Sequence, residues 1–169
     1  MIRPSDAYVL LGVAASGRRL PLRVLAERLH VTLPQVQRSL GRLAEAELVV
    51  PELRVARLPN VEEFVVHALR YLAPGRLGAV TAGVPAAWAA APLQSRIVSS
   101  EPAPVWPSAR GSARGPALEP LHRAAVDAVR DDARLADLLA VADCLRTSDR
   151  RVRREAERLL PELLRLGSE

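Results

Sequence analysis

The chain has 169 residues, 49% of them hydrophobic, enough for one substantial core or for a small domain with an appendage. No run approaches the ~18 uninterrupted apolar residues of a membrane span, and the first residues are not a basic region followed by an apolar one, so a cytoplasmic chain outside the membrane is expected. All 24 basic residues are arginine, against 19 acids for a net charge of +5, and a lone cysteine, Cys144, excludes a disulfide framework or a thiolate metal cluster.

The first predicted element is a helix over residues 5–15, with Ser5 as its cap, Tyr8, Val9, Leu11 and Val13 as its apolar residues, and Gly17 as its stop. Next come two amphipathic patterns joined by a short turn. In the first, Leu22, Leu25, Ala26 and Leu29 share a face, Pro21 suits the first helical position, and the helix stops near His30. In the second, Thr32 caps, Pro34 sits in the first turn, and Val36, Leu40 and Leu43 point inward. Ala26 is small enough for the two helices to cross closely, and Val31 can fill the space under the turn. The outward face of the second helix is then Leu33, Gln35, Gln37, Arg38, Gly41 and Arg42. Gln pairs bidentately with adenine, and Arg with guanine or with backbone phosphates. An ordinary helical hairpin with a solvated face would show the same periodicity. Residues 47–57 argue against it, because they read as a short β-hairpin with Pro51 and Glu52 at the tip.

The order helix, helix, helix, hairpin resembles the winged helix-turn-helix of MarR-type transcriptional regulators, with LAERLHVTLPQVQRSLGRLAEAELVV as the matching block; the likeness covers the first 60 residues. It implies a DNA-binding domain over residues 1–73 whose recognition helix, Thr32 to Glu45, enters the major groove of double-stranded DNA. The DNA-contacting residues it implies are Thr32, Gln35, Gln37, Arg38 and Arg42, with Arg54 and Arg57 from the wing. This chain departs from the family in two ways. The wing is short and carries Glu52 at its tip, so it would touch phosphates and read little. The long dimerisation helices that flank the family's winged helix are also missing.

With no lysine in the chain, arginine richness by itself says little, and its placement says more. Residues 1–60 hold nine arginines against five acids, +4; residues 61–115 come to +2 and residues 116–169 to −1. Positive charge thus lies on the part that resembles a DNA reader, but +4 is modest, which points to a homodimer reading two half-sites about 34 Å apart. Residues 61–72 form a further helical stretch, capped by Asn60, with Glu62 and Glu63 at its positive end. His67 lies among its apolar residues, and with only His30 and His122 besides, no metal-binding spacing exists.

From residue 74 to 116 the pattern dissolves into a Pro/Gly/Ser-rich loop or wrap, expected to be partly ordered because both tryptophans lie in it. VPAAWAAAPL can form a short helical turn. Trp88 and Trp106 either anchor the segment around a ligand or partner groove or cover exposed core, and Arg110 and Arg114 either reach phosphates or are solvated. Residues 117–146 read as one or two helices broken near Asp131, with Leu121, Ala124, Ala125 and Val129 on one face and Leu135, Leu138, Leu139, Ala142 and Leu145 on the other. Thr147, Ser148 or Asp149 caps a last helix with Val152, Ala156, Leu159, Leu160, Leu163 and Leu164 apolar, a plausible dimer or partner surface, and Pro161 kinks or ends it. Arg150, Arg151, Arg153 and Arg154 read as a salt-bridged solvated face, since acids follow three to four positions later.

No Gly-rich phosphate loop, paired histidines or nucleophile motif is present, and Asp131, Asp132, Asp137 and Asp143 read as a charged helix face; neither an enzyme nor a cofactor is expected. The expected fold is mainly α: an N-terminal winged helix-turn-helix, a long partly ordered loop, and a C-terminal helical region over residues 117–169 for dimerisation or partner binding. The expected function is sequence-specific transcriptional regulation as a homodimer, with a small-molecule effector or a partner for the C-terminal half. The alternative is an antitoxin-type or adaptor protein whose C-terminal half binds a toxin-like protein.

Overall fold

In a computed structural model, residues 1–97, 102–147 and 149–166 are described, and the chain is mainly helical with two small sheets. Helix α1 spans Pro4–Ser16 and is buried on every side from Asp6 to Ala15, so it forms the centre of the N-terminal half rather than one of its faces. Asp6, not Ser5, closes its first turn: the Asp6 carboxylate accepts the Arg3 N–H at 2.8 Å. Gly17 ends it in the left-handed conformation, φ 63°, as expected. Helices α2 (Leu22–Arg28) and α3 (Leu33–Glu45) follow, then strands β1 (Val49–Val50) and β2 (Val55–Ala56), paired antiparallel with Val50 opposite Val55. Pro21 stands just before α2 rather than in its first turn. Gly12 of α1 makes room for Leu29 at the end of α2, since a Cβ there would run into the Leu29 side chain.

Helix α4 (Leu58–Glu63) continues through a π turn, Phe64–Ala68, into α5 (Leu69–Leu72). The helix begins three residues earlier than its apolar pattern shows, so Asn60 does not cap it; its side chain donates instead to the Glu47 carbonyl at 2.9 Å, tying α4 to the end of α3.

Residues 74–116 depart most from expectation, for much of that loop is a sheet. Strand β3 (Leu77–Pro85) pairs antiparallel with both β4 (Val105–Pro107) and β5 (Ala113–Leu118), and β4 and β5 meet through the pair Val105 and Ala117. The composition that suggests a loop builds this small closed sheet. Gly83 and Gly115 lie where a Cβ would collide with the carbonyls of Trp106 and Ala103, so the strands close only because those side chains are absent. The predicted helical turn is present as a 3-10 turn, Ala87–Ala89, carrying Trp88.

The remaining elements are α6 (Ala125–Ala128), α7 (Ala133–Arg146) and α8 (Arg150–Arg165). The helix expected from residue 117 does not form, because Ala117 and Leu118 belong to β5 and only the short α6 precedes the break. Helix α7 is buried nearly all round and packs against α1, α5 and α8. Asp132 and Asp149 cap α7 and α8, and α8 runs through Pro161 without ending there. Among the candidate caps for α8, Ser148 lies outside the described residues. The apolar side of α8, from Val152 to Leu164, is the one expected, but it is buried inside the chain against α7, so it is not a free dimer or partner surface. One hydrophobic core runs from Ala7 to Leu164 through both halves. No helix among the described residues is long and apolar enough to cross a membrane.

Candidate nucleic-acid interface

The turn between α2 and α3 is fixed by backbone geometry. His30 takes φ 52°, and the Val31 N–H reaches back to the Ala26 carbonyl at 3.0 Å, a pattern that stops α2 and turns the chain. Thr32 caps α3 by accepting the Gln35 N–H, and Pro34 follows at the second helical position. Val36 and Leu43 are fully buried as expected, while Leu40 is half-buried beneath a shallow groove of about 210 Å³ between α3 and the hairpin. On the outer side Gln37, Arg38 and Gly41 are exposed, and neither side chain has an intramolecular hydrogen bond among the described residues. Nothing lies within 4 Å of a Cβ built on Gly41, so the middle of this face is open.

Two of the expected contact residues have other partners. Arg42 does not point freely outward: its Nε and Nη2 donate to the Asp6 carboxylate at 2.7 and 2.6 Å, a bidentate pair. Ser39, a residue sequence reasoning passed over, is fully buried on the same side and donates to Asp6 Oδ1 at 2.6 Å. Burial pushes the Asp6 carboxyl up, but the hydrogen bonds from Arg42, Ser39 and Arg3 outweigh it and hold the group below its ordinary range. Arg42 thereby fixes the rotation of α3 on α1. The signal was an aspartate in the first turn of an otherwise apolar helix, with a serine one turn after Val36 on the inward side of another.

Gln35 is the second. Its side-chain amide lies 3.0 Å from Nε2 of His122, whose ring stacks on Tyr8 at 5.2 Å between centroids and 9° between planes. The Ala124 N–H donates to His122 Nδ1 at 3.1 Å, so the neutral ring carries its proton on Nε2; the Gln35 atom placed against it is the amide nitrogen, and a half-turn of that amide brings its oxygen there to accept. Burial, and then the nearby Arg123 charge, lower the His122 pKa and favour this neutral form. Tyr8 donates its hydroxyl to the Leu29 carbonyl at 2.9 Å, and burial together with the Asp132 carboxylate keeps it protonated. Arg28 adds a further link, pairing with the buried Asp132 that caps α7. Asp132 is therefore part of the core rather than of a charged helix face. The N-terminal end of α3 is braced against the C-terminal half.

On the hairpin, Pro51, Glu52 and Leu53 are exposed, and Arg54 closes the turn at φ 51° with its N–H on the Val50 carbonyl at 2.7 Å. Arg54 is half-buried against the groove, its Nε without a partner among the described residues, whereas Arg57 is exposed. Thr32 is exposed apart from its capping bond.

The tryptophans are buried. Trp106 donates its indole N–H to the buried Asp143 at 2.7 Å, which makes it an anchor of the sheet on α7 and removes it from the ligand-contacting set. Trp88 lines two surface clefts and has no partner for its N–H among the described residues. Arg110 and Arg114 are exposed on the β4–β5 turn and on β5. Cys144 is buried, and burial and the Asp143 and Asp149 carboxylates raise its thiol pKa, which suits a core residue. Comparison with protein-family models, with curated proteins and with solved structures gives no match.

Proposed function

We propose that the chain is a sequence-specific DNA-binding regulator of winged-helix type that reads the major groove with Gln37 and Arg38 of α3. The observation that carries this reading is a capped helix, rigidly keyed into the core by Val36, Leu43 and the Asp6–Arg42 pair, whose exposed Gln37 and Arg38 side chains have no hydrogen-bond partner among the described residues and whose Gly41 is open. A reading helix needs a fixed scaffold and a free polar face, and a glycine lets it approach the bases closely. In this reading Arg54 and Arg57 of the hairpin serve as phosphate contacts, and the base-reading candidates narrow to Gln37 and Arg38.

One copy offers few phosphate contacts, so the proposed acting form is a homodimer. Its pairing surface must be other than the apolar side of α8, which is filled by α7. The adaptor reading has less support, because β3 to α8 share the core of the N-terminal half instead of extending as an arm.

The test is anisotropy with a duplex from the gene's own upstream region and a scrambled duplex at two salt concentrations. The upstream duplex should be preferred, and the preference should survive raised salt. Arg38→Ala or Gln37→Ala should cost about 1 to 3 kcal/mol on the upstream duplex alone, whereas Arg54→Ala should weaken both duplexes and flatten the salt slope. Equal losses on both duplexes for Gln37→Ala would remove α3 as the reading helix.

A further inference from the structure

A second basic concavity lies away from α3. It is a cleft of about 750 Å³ between α5, the start of β3 and the N-terminal end of α8. Arg70 and Arg76 stand on one side, Arg150 and Arg153 on the other, and Arg146 lies buried within the wall. From these groups we propose that the cleft binds a nucleoside di- or triphosphate.

Charge is the first reason. Neither Arg70 nor Arg76, Arg150 nor Arg153 has a carboxylate partner within 4.0 Å among the described residues. The acids expected to neutralise the α8 arginines do not do so: Glu155 pairs with Arg158 at 2.9 Å. Asp149, the acid that lines the cleft, spends Oδ1 on capping α8 through the N–H groups of Arg151 and Val152. Several guanidinium groups gathered around one hollow repel one another, and a ligand bearing several negative charges relieves that repulsion.

Unsatisfied donors are the second, independent reason. Trp88 and Arg146 line the cleft at 5% and 6% exposure, and Trp88 Nε1 and Arg146 Nε have no acceptor among the described residues; nor has the buried Nε of Arg153. A buried donor without an acceptor is costly, but these three atoms have no solvent access, so an acceptor-rich occupant reaches them only as the wall side chains turn toward the cleft. Arg146 is already engaged, its Nη2 donating to the Glu119 carbonyl at 2.7 Å and lying 3.1 Å from Asp143, so Arg70, Arg76, Arg150 and Arg153 carry the charge offered to a ligand. Phosphate oxygens are acceptors only, and guanidinium forks match them in pairs.

The nucleoside is argued from shape. Tyr71, 72% exposed at the rim, has Arg70 stacked over its ring at 4.6 Å, which stiffens an aromatic platform beside the phosphate donors. A hollow of this volume suits a small ligand. A duplex would meet only the rim arginines, with its backbone. The proposal stands apart from the reading of α3.

The experiment is calorimetric titration of the full chain with adenosine triphosphate, guanosine triphosphate, pyrophosphate and a scrambled DNA duplex. At least one triphosphate should bind saturably at one per chain and about tenfold more tightly than pyrophosphate, the difference that base stacking supplies. Arg76→Ala with Arg150→Ala should weaken that triphosphate by about tenfold or more, whereas Arg130→Ala, remote from the cleft, should leave it unchanged. The triphosphate should also raise the Tm of the native chain and not that of the double variant. Tyr71→Ala changes an exposed residue and provides a second variant if the double one fails to fold; it should bring triphosphate down to the pyrophosphate level. The proposal is overturned by absence of saturable binding, by pyrophosphate binding as tightly as both triphosphates, or by triphosphate affinity that survives both sets of substitutions. Duplex binding that falls in step with a triphosphate loss in the double variant would also overturn it, marking the cleft as a nucleic-acid surface.

Discussion

Asp6 and Asp143 are both fully buried and both lie beside an arginine, yet their surroundings drive them in opposite directions. Asp6 accepts from the Arg3 N–H, the Ser39 hydroxyl and two nitrogens of Arg42, and is held below the usual carboxylate range despite its burial. Among the described residues Asp143 accepts one hydrogen bond, from Trp106; Arg146 lies 3.1 Å from Oδ1 but outside hydrogen-bonding geometry, and burial pushes the group up to about 6. The number of well-aimed donors, rather than the presence of an arginine, decides whether a buried carboxylate keeps its charge. The same difference separates two parts of the molecule. Behind α3 the polar groups satisfy one another and fix a rigid face, whereas around α7 and the arginine cleft donors are left over.

Replacing the two carboxylates gives the largest contrast. Asp6→Ala strands the Ser39 hydroxyl in the core and releases α3 from α1; with Arg42 able to regain water, the loss should be about 2 kcal/mol in chemical denaturation. Asp143→Asn removes a charge that burial disfavours but leaves the buried Arg146 guanidinium without its carboxylate; the first effect offsets part of the second, and the net loss at pH 8 should stay below that of Asp6→Ala. A larger loss for Asp143→Asn than for Asp6→Ala would reverse the comparison.

Titration sharpens it. The folded-state pKa of Asp143, about 6, lies above its ordinary value of 3.8, so the folded chain binds this proton more tightly, and the group's contribution to stability falls as pH rises between those values. Asp6 and Asp132 are depressed, so their contributions are present above the ordinary carboxylate pKa and are lost as pH falls through their lowered values. His122, also lowered, opposes Asp143 by losing stability as pH falls below its ordinary 6.5. Subtracting Asp143→Asn from the native chain isolates one group: the stability difference between them should change by about 1 to 3 kcal/mol between pH 4.5 and 7.5. A constant difference would mean that Asp143 keeps an ordinary pKa.

Period and caps made the helices legible. Val36 and Leu43, the Thr32 and Asp149 caps, Gly17 and the whole apolar side of α8 stand where the 3.6-residue pattern puts them. The sheet was not legible, because its strands close through glycines and prolines, residues whose local meaning is a turn. Their role here is close approach, a property of pairs such as Gly83 with Trp106 that lie far apart in sequence. On the candidate face, the outward residues of α3 were legible as a set, but which of them are free was not. That depended on Asp6 and His122, placed against α3 by tertiary packing.

Gln35 and Gln37 were both expected on the outer side of α3, yet only Gln35 has a partner among the described residues, so they give the smallest and most selective test. The Gln35 amide is taken by His122, and that ring cannot gain a second proton without setting Nδ1–H against the Ala124 N–H. Gln35→Ala should therefore cost about 1 kcal/mol of stability, one hydrogen bond, while changing affinity for the upstream duplex by less than about threefold. Gln37→Ala should do the reverse, sparing stability and lowering upstream-duplex affinity, since its amide has no partner among the described residues to lose. Native-like melting with a loss of duplex preference in Gln35→Ala would show that the amide leaves His122 on binding DNA. The brace between the C-terminal half and α3 would then be a latch that DNA opens, and His122→Ala should tighten DNA binding by freeing Gln35 in advance.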